Sequence, residues 1–263
     1  MAYKSLFDTE EVKQIKELKR QEDGKLFKSE YFNDDCLAVL KTLPKGYVDV
    51  TFTSPPYNDS GTENEDVAVL KSSNTHKKYQ DVERHDDWFE WQCEIIDELR
   101  RVTKKYVLYN VQALSNNREN VYKLIGHYAD CIHDVVVWYK PNGCPTSTPH
   151  KISNKYEFLL IIKAEGVEGV DVNSDVYYNV IVQNINPNKE FASIHRAVMS
   201  KQFSDECIKE FTVEGDTVLD PFMGMGTTGV SCKEQKRNFV GIEISKLYYD
   251  KAIERIEATD ILF

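Results

Sequence analysis

The sequence predicts an α/β protein built on a mostly parallel sheet with helices on both faces. Three observations carry this. From about residue 87 onward helical and strand patterns alternate, which makes successive strands parallel through crossover helices. Lys155-Tyr-Glu-Phe-Leu-Leu-Ile-Ile-Lys163 is a near-continuous apolar run, as a strand covered on both faces requires. Thr217-Val-Leu-Asp220 runs through a glycine-rich turn directly into a helical segment.

Taken in order, residues 1–30 carry seven basic and seven acidic side chains, with Val12, Ile15 and Leu18 three apart, and read as a helical extension with a thin apolar stripe. From Tyr31 a short apolar stretch leads to Asn33-Asp34-Asp35 as a cap and a brief helix over Cys36–Leu43, stopped by Pro44 and Gly46. Tyr47–Thr53 is β-branched and alternating, hence a strand. Residues 58–86 form a long polar loop, a length usually reserved for function or disorder. There follow a helix over 87–102, a strand at Tyr106–Tyr109, a helix over 117–128 and a strand at Ile132–Tyr139. Lys140–Lys155 is a loop rich in Pro, Ser, Thr and Asn, basic and without an acid, that leads into the Lys155–Lys163 strand. The segment 164–194 resists assignment. A helix at Ser204–Phe211, a strand at Thr217–Asp220, a helix at Thr227–Lys236, a strand at Phe239–Ile244 and a helix at Lys246–Ala258 complete the chain.

Composition bounds the function. With 41% hydrophobic and 29% charged residues in 263, a buried core is expected. The formal charge of −10 argues against a surface that grips polyanions everywhere. The six cysteines include no CxxC pair and no histidine at zinc spacing, so they read as reduced thiols, with no metal site and a cytoplasmic setting. No segment approaches a signal peptide or a membrane span.

Asp220-Pro-Phe-Met-Gly224-Met-Gly226-Thr-Thr-Gly229 offers two glycines at the mouth of a helix, where backbone can approach a ligand and N–H groups lack partners. Nineteen residues beyond Gly224, the next strand ends at Glu243, a carboxylate placed to accept both hydroxyls of a ribose. The plainer alternatives are a connecting turn and a helix-capping Glu243. Ser54-Pro55-Pro56-Tyr57 ends the Tyr47–Thr53 strand. Its prolines fix the backbone and leave carbonyls free to accept. Tyr57 then offers a face for stacking a planar base, and Ser54 and the Pro55 carbonyl offer acceptors for an amino group. Taken singly, such proline pairs more often stiffen loops.

Together, Ser54-Pro-Pro-Tyr57 and Asp220-Pro-Phe-Met-Gly-Met-Gly-Thr-Thr228 resemble the S-adenosylmethionine-dependent amino-group DNA methyltransferases. The catalytic motif precedes the cofactor motif, the order of that family's β class, and the likeness spans roughly residues 31–258. The resemblance implies a Rossmann-like methyltransferase fold in circularly permuted order, with 31–263 as the catalytic domain. Target-recognition loops would fall at 58–86, 140–155 and 164–194. Ser54, Pro55, Pro56 and Tyr57 would be catalytic. Asp35, Thr53, Asp220, Pro221, Phe222, Gly224, Gly226, Thr227, Thr228, Glu243 and His195 would face the cofactor, with a packed structural role the alternative for His195. Trp138-Tyr-Lys-Pro-Asn142 and Lys155–Lys163 would be the central strand pair. Two departures stand out: Ser200-Lys201 occupy the place of a usual proline, and the stretch after 164 is short and acidic.

In that family, Ser at the first motif position goes mostly with cytosine N4, and Asp or Asn with adenine N6. The expected activity is therefore methyl transfer to cytosine N4 of a flipped base, with adenine N6 as the alternative. An RNA or protein methyltransferase and a non-catalytic module of the same fold rank lower. No Pro-Cys nucleophile is present, which argues against cytosine C5 chemistry. Trp88 and Trp91 are expected in the core. The expected partners are double-stranded DNA, a cognate restriction endonuclease and a second copy in a homodimer, in a prokaryotic or phage-encoded setting. Lys77, Lys78, Lys151 and Lys155 are the candidate phosphate contacts, on a basic cleft in an acidic body. Solvated loop lysines are the plainer reading of each.

Overall fold

The computed structural model describes residues 27–56, 88–114, 117–143, 154–184 and 199–261. The strands among them are β1 (Ser29–Phe32), β2 (Val48–Thr53), β3 (Thr103–Val111), β4 (Ile132–Tyr139), β5 (Tyr156–Lys163), β6 (Val180–Val182), β7 (Thr217–Asp220) and β8 (Asn238–Ile242). They form one sheet in the order β1-β8-β7-β2-β3-β5-β4-β6. The helices are α1 (Cys36–Leu40), α2 (Trp88–Val102), α3 (Arg118–His127), α4 (Lys201–Phe211), α5 (Thr227–Glu234) and α6 (Lys246–Ala258).

All pairings are parallel except those of β5, which runs antiparallel to β3 and β4. No helix separates β4 from β5 among the described residues, and a strand that returns without a crossover must reverse direction. The resemblance made this pair central. It lies instead toward the β6 end of the sheet.

The alternation of side chains explains the two cores. Tyr106 and Leu108 of β3 point to one face, and Val107, Tyr109 and Val111 to the other. In β5, Leu159 and Ile161 join the first face while Leu160 and Ile162 join the second, which is why the strand reads as an unbroken apolar run. The helices divide accordingly. Residues of α1, α2 and α3 pack with the Tyr109 face, and residues of α4, α5 and α6 with the Leu108 face. In β2 the register shifts between Val48 and Val50 against β3, so Val48 serves one core and Val50 and Phe52 the other.

Several boundaries differ from the sequence reading. Among the described residues the sheet begins at Ser29, so residues 29–30 belong to it and not to an extension; Tyr31 packs on Phe239 with ring centroids 6.2 Å apart. β1 and β6 escaped notice because both are edge strands, and an edge needs few apolar residues: in β6 only Ile181 is buried. α1 stops at Leu40, where Thr42 and Leu43 tighten to i→i−3 bonds before Pro44. α4 starts at Lys201, capped by the Ser200 hydroxyl, which accepts from Phe203 N–H. The unusual Ser200-Lys201 pair thus has a structural task, since Lys201 pairs with Asp205 and with Glu234 of α5. Among the described residues, Cys36, Cys93, Cys131, Cys207 and Cys232 are free thiols.

Candidate active site

β1, β8, β7 and β2 are adjacent and parallel. Their carboxyl ends therefore bring four remote segments to one edge, in spatial order Asn33–Asp35, Glu243, Asp220–Gly226 and Ser54–Pro56. Three inter-strand spacings of about 4.8 Å separate the first from the last, roughly 14 Å in all. Ligands of open α/β sheets bind along this edge.

Asp220 is the hub. Its buried carboxylate accepts from Thr53 Oγ1 at 2.8 Å, Thr228 Oγ1 at 2.7 Å and the Phe222 backbone N–H at 3.1 Å. Burial pushes its carboxyl up to about 6, and those three hydrogen bonds pull the other way. One side chain thereby joins β2, β7, the glycine turn and α5. The turn is held from outside as well. Arg255 donates to the Met225 carbonyl at 3.0 Å and to Thr227 Oγ1 at 3.1 Å. Phe222, after Pro221, meets Trp91 edge-on with centroids 5.9 Å apart.

The two glycines differ. Both have positive φ, +52° at Gly224 and +74° at Gly226. A Cβ on Gly226 would lie 3.0 Å from Ala252 Cβ and Ile256 Cδ1 of α6, so that glycine answers to helix packing. A Cβ on Gly224 would meet only the Phe222 carbonyl, at 3.8 Å. Packing against α6 thus gives Gly226 a structural reason that Gly224 lacks.

Glu243 closes the other side of the turn. Its Oε2 accepts from Gly224 N–H at 2.9 Å and its Oε1 from Ser245 N–H at 2.8 Å. Burial raises its pKa, against the pull of the backbone N–H groups. Asn33 donates to the Glu243 and Ile244 carbonyls, tying the ends of β1 and β8. Asp35 caps α1 by accepting from Ala38 N–H at 2.9 Å. An anchored carboxylate with lone pairs to spare, an open glycine and the α5 N-terminus suit a polar nucleoside with hydroxyls to donate, which fits the cofactor that the resemblance implies.

At the end of β2, Asn110 Nδ2 of β3 approaches Ser54 Oγ at 3.4 Å. Pro55 is buried, and the Pro56 carbonyl accepts from Trp88 Nε1 at 3.1 Å. Trp88 is fully buried and Trp91 partly so, in the core as expected. Tyr57, Lys77, Lys78, Lys151 and His195 lie outside the described residues. Of the basic loop 140–155, two lysines turn inward. Lys155 Nζ donates to the Pro141 carbonyl at 2.8 Å. Lys140 is buried, paired with Glu157 and 4.4 Å from the Trp138 ring centroid. Asn110 and Glu157 went unnoticed in the sequence, and Lys140 counted only as part of a basic loop. The signal was there: Asn110 is the one amide in the buried run Tyr106–Val111, and Glu157 the one acid in the apolar β5.

Among the described residues no helix is long and apolar enough to cross a membrane. Residues 48–254 match a family described as DNA methylase, the N6 and N4 methyltransferases. The chain is 27% identical over 291 residues to the type II methyltransferase M.Cfr9I of Citrobacter freundii, covering 94% of this chain and 93% of that protein. The structure of the cytosine-N4-specific PvuII DNA methyltransferase superposes with a TM-score of 0.67 at 13% identity, covering 89% of this chain and 87% of that one. The M1.HpyAVI–SAM complex superposes with a TM-score of 0.62 at 21% identity, covering 87% and 98%.

Proposed function

Because the chain belongs to this DNA methylase family, an S-adenosylmethionine-dependent group of DNA amino-methyltransferases, we propose that it methylates cytosine N4 at a specific site in duplex DNA. The reading rests on one observation. The Thr53–Asp220 hydrogen bond sets Ser54, at the end of β2, beside the turn that carries Gly224.

When bound, S-adenosylmethionine supplies a methyl group made electrophilic by its sulfonium. In our reading, Glu243 and Asp35 hold the ribose and adenine side, and the open face of Gly224 admits the backbone of the turn to close contact. Thr53, Asp220, Thr227 and Thr228 keep that turn in place, and Pro221, Phe222 and Gly226 shape its surroundings; by the resemblance His195 would also face the cofactor. Ser54 Oγ and the Pro55 carbonyl accept the two N–H bonds of the target amine. That holds the nitrogen pyramidal, so that its lone pair, otherwise delocalised into the ring, points at the methyl donor. Flipping the base costs a few kcal/mol. Stacking on Tyr57 returns about 1–3 kcal/mol. No covalent intermediate with the protein is required.

Ser54 favours cytosine over adenine by the family's pattern, and adenine N6 is the second reading. The type II name of the relative in Citrobacter freundii supports pairing with a restriction endonuclease of the same target, in a bacterial cytoplasm. Transfer of radiolabelled methyl to duplex DNA, followed by digestion to nucleosides, tests the reading. N4-methylcytosine is expected. N6-methyladenine alone would overturn the choice of base, and absence of label on any duplex would overturn the activity.

A further inference from the structure

The activity leaves one buried polar chain without a use. It begins at Ser54 and runs away from the cofactor turn. Thr53 pairs with Tyr109 in the β2–β3 register, which brings Ser54 abreast of Asn110. Asn110 is 1% exposed, and its Nδ2 donates to Glu157 Oε2 of β5 at 2.6 Å besides approaching Ser54 Oγ. Glu157, 7% exposed, places its other oxygen on Lys140, itself 8% exposed. Lys140 lies over Trp138, which stacks on Phe203 with centroids 4.1 Å apart, and Phe203 sits edge-on to Phe52 of β2.

A buried ion pair is a poor source of stability, because desolvating two charges costs about as much as their attraction returns. Its geometric effect is definite. An ionised carboxylate only accepts, so Glu157 fixes which end of the Asn110 amide faces it. The NH2 group must point at Glu157, and its second N–H is then directed at Ser54 Oγ. With one lone pair engaged there, the Ser54 hydroxyl hydrogen turns away from Asn110, which orients the oxygen toward the substrate amine. Lys140 pairs with Glu157 and holds it in place, and the stacked Trp138–Phe203 pair walls the ammonium in.

We propose that Lys140, Glu157 and Asn110 are positioning residues that set the orientation of the Ser54 hydroxyl toward the target amine. The proposal rests on the role given to Ser54 above and adds its source of precision. Lys140 thereby leaves the set of basic-loop residues available to DNA phosphates.

Steady-state kinetics on duplex DNA, cofactor titration calorimetry and thermal unfolding of the same variants test it. Glu157→Gln removes the constraint on the amide, and Asn110→Ala removes the donor. Each is expected to lower kcat by about tenfold to a hundredfold, the scale of a misplaced reacting group, while KM for DNA and cofactor Kd stay within about twofold. Lys140→Met should match Glu157→Gln, Lys140→Arg should keep most of kcat, and the double variant Lys140→Met with Glu157→Gln should be no worse than either alone. In the unmodified, cofactor-free protein, the Asn110 side-chain amide protons should be protected from hydrogen exchange, which tests the chain without any variant having to fold. Unchanged kcat, losses that multiply in the double variant, or an unprotected Asn110 amide would each overturn the proposal. If Ser54→Ala itself retains full activity, the assignment of the site falls first and the two failures are told apart.

Discussion

Thr53 donates its hydroxyl hydrogen to Asp220 at 2.8 Å across 167 residues of sequence. β2 and β7 exchange only two Cα pairs in register, Val50 with Val218 and Thr51 with Leu219. This hydrogen bond prolongs their contact to the carboxyl edge, where the two motifs that define the family meet.

The raised Asp220 carboxyl gives a pH signature. Its pKa rises from 3.8 to about 6 in the folded protein, so between those values the native state holds a proton that the unfolded chain has lost. The stabilising contribution of the protonated form is full below about pH 4 and is lost as pH rises through 6. The swing is about 3 kcal/mol. Urea unfolding of wild type and Asp220→Asn at pH 4, 5, 6 and 7 should show wild type losing stability relative to the variant over that window. A pH-independent difference would reject the assignment.

Gly224→Ala and Gly226→Ala should separate ligand contact from packing. At Gly226 the new methyl meets Ala252 and Ile256 at 3.0 Å, and stability should fall by about 1–3 kcal/mol from overpacking. At Gly224 the space is open, so the main effect should be a weaker cofactor Kd with a smaller shift in Tm. Calorimetric titration and thermal unfolding of both variants check the contrast.

Glu243→Gln replaces one of two acceptor oxygens with a donor facing Gly224 or Ser245 N–H. Cofactor affinity should fall about tenfold or more, the scale of a lost charge-assisted hydrogen bond. Since burial raises the Glu243 pKa, wild-type affinity should weaken on acidification at a higher pH than an ordinary glutamate would cause, as the ionised acceptor is lost. The variant should lack that dependence.

Tyr57→Ala should keep cofactor affinity and lose most turnover, because the base forfeits about 1–3 kcal/mol of stacking. Single-turnover methylation beside cofactor titration measures both.

Removing a phosphate contact lowers the salt slope of DNA binding by about 0.9. Lys155→Ala should leave the slope unchanged, because its ammonium is engaged with the Pro141 carbonyl. The triple change of Lys77, Lys78 and Lys151 to Ala should lower it. Binding isotherms between low and moderate salt decide.

The sheet interior was legible in the sequence because buried strands must be apolar on both faces, as Leu159–Ile162 show. The edges were not. Ser29–Phe32 is half polar, and Val180–Val182 buries only Ile181, so neither carries a pattern distinct from loop. The motif residues could be read from their types, since prolines and glycines announce backbone geometry. What they hold could not: Asp220 looked like a cofactor contact and is also the bolt between β2, β7 and α5. Lys140 read only as part of a basic loop, because net charge counts residues without regard to their partners. Only the register that sets Trp138 against Glu157 turns it inward.

Among the described strands, β1 is the first in sequence and pairs only with β8, the last, Ser29 lying opposite Phe239. A ribosome adding about 5–20 residues per second needs roughly 10–40 s to make the intervening chain. Until then the first strand has no neighbour, and Thr53 has no Asp220. A nascent or truncated chain ending before residue 217 lacks β7 and β8, the two strands between β1 and β2. β1 is then without its partner, and β2, though paired with β3, presents an open edge for a chaperone to shield.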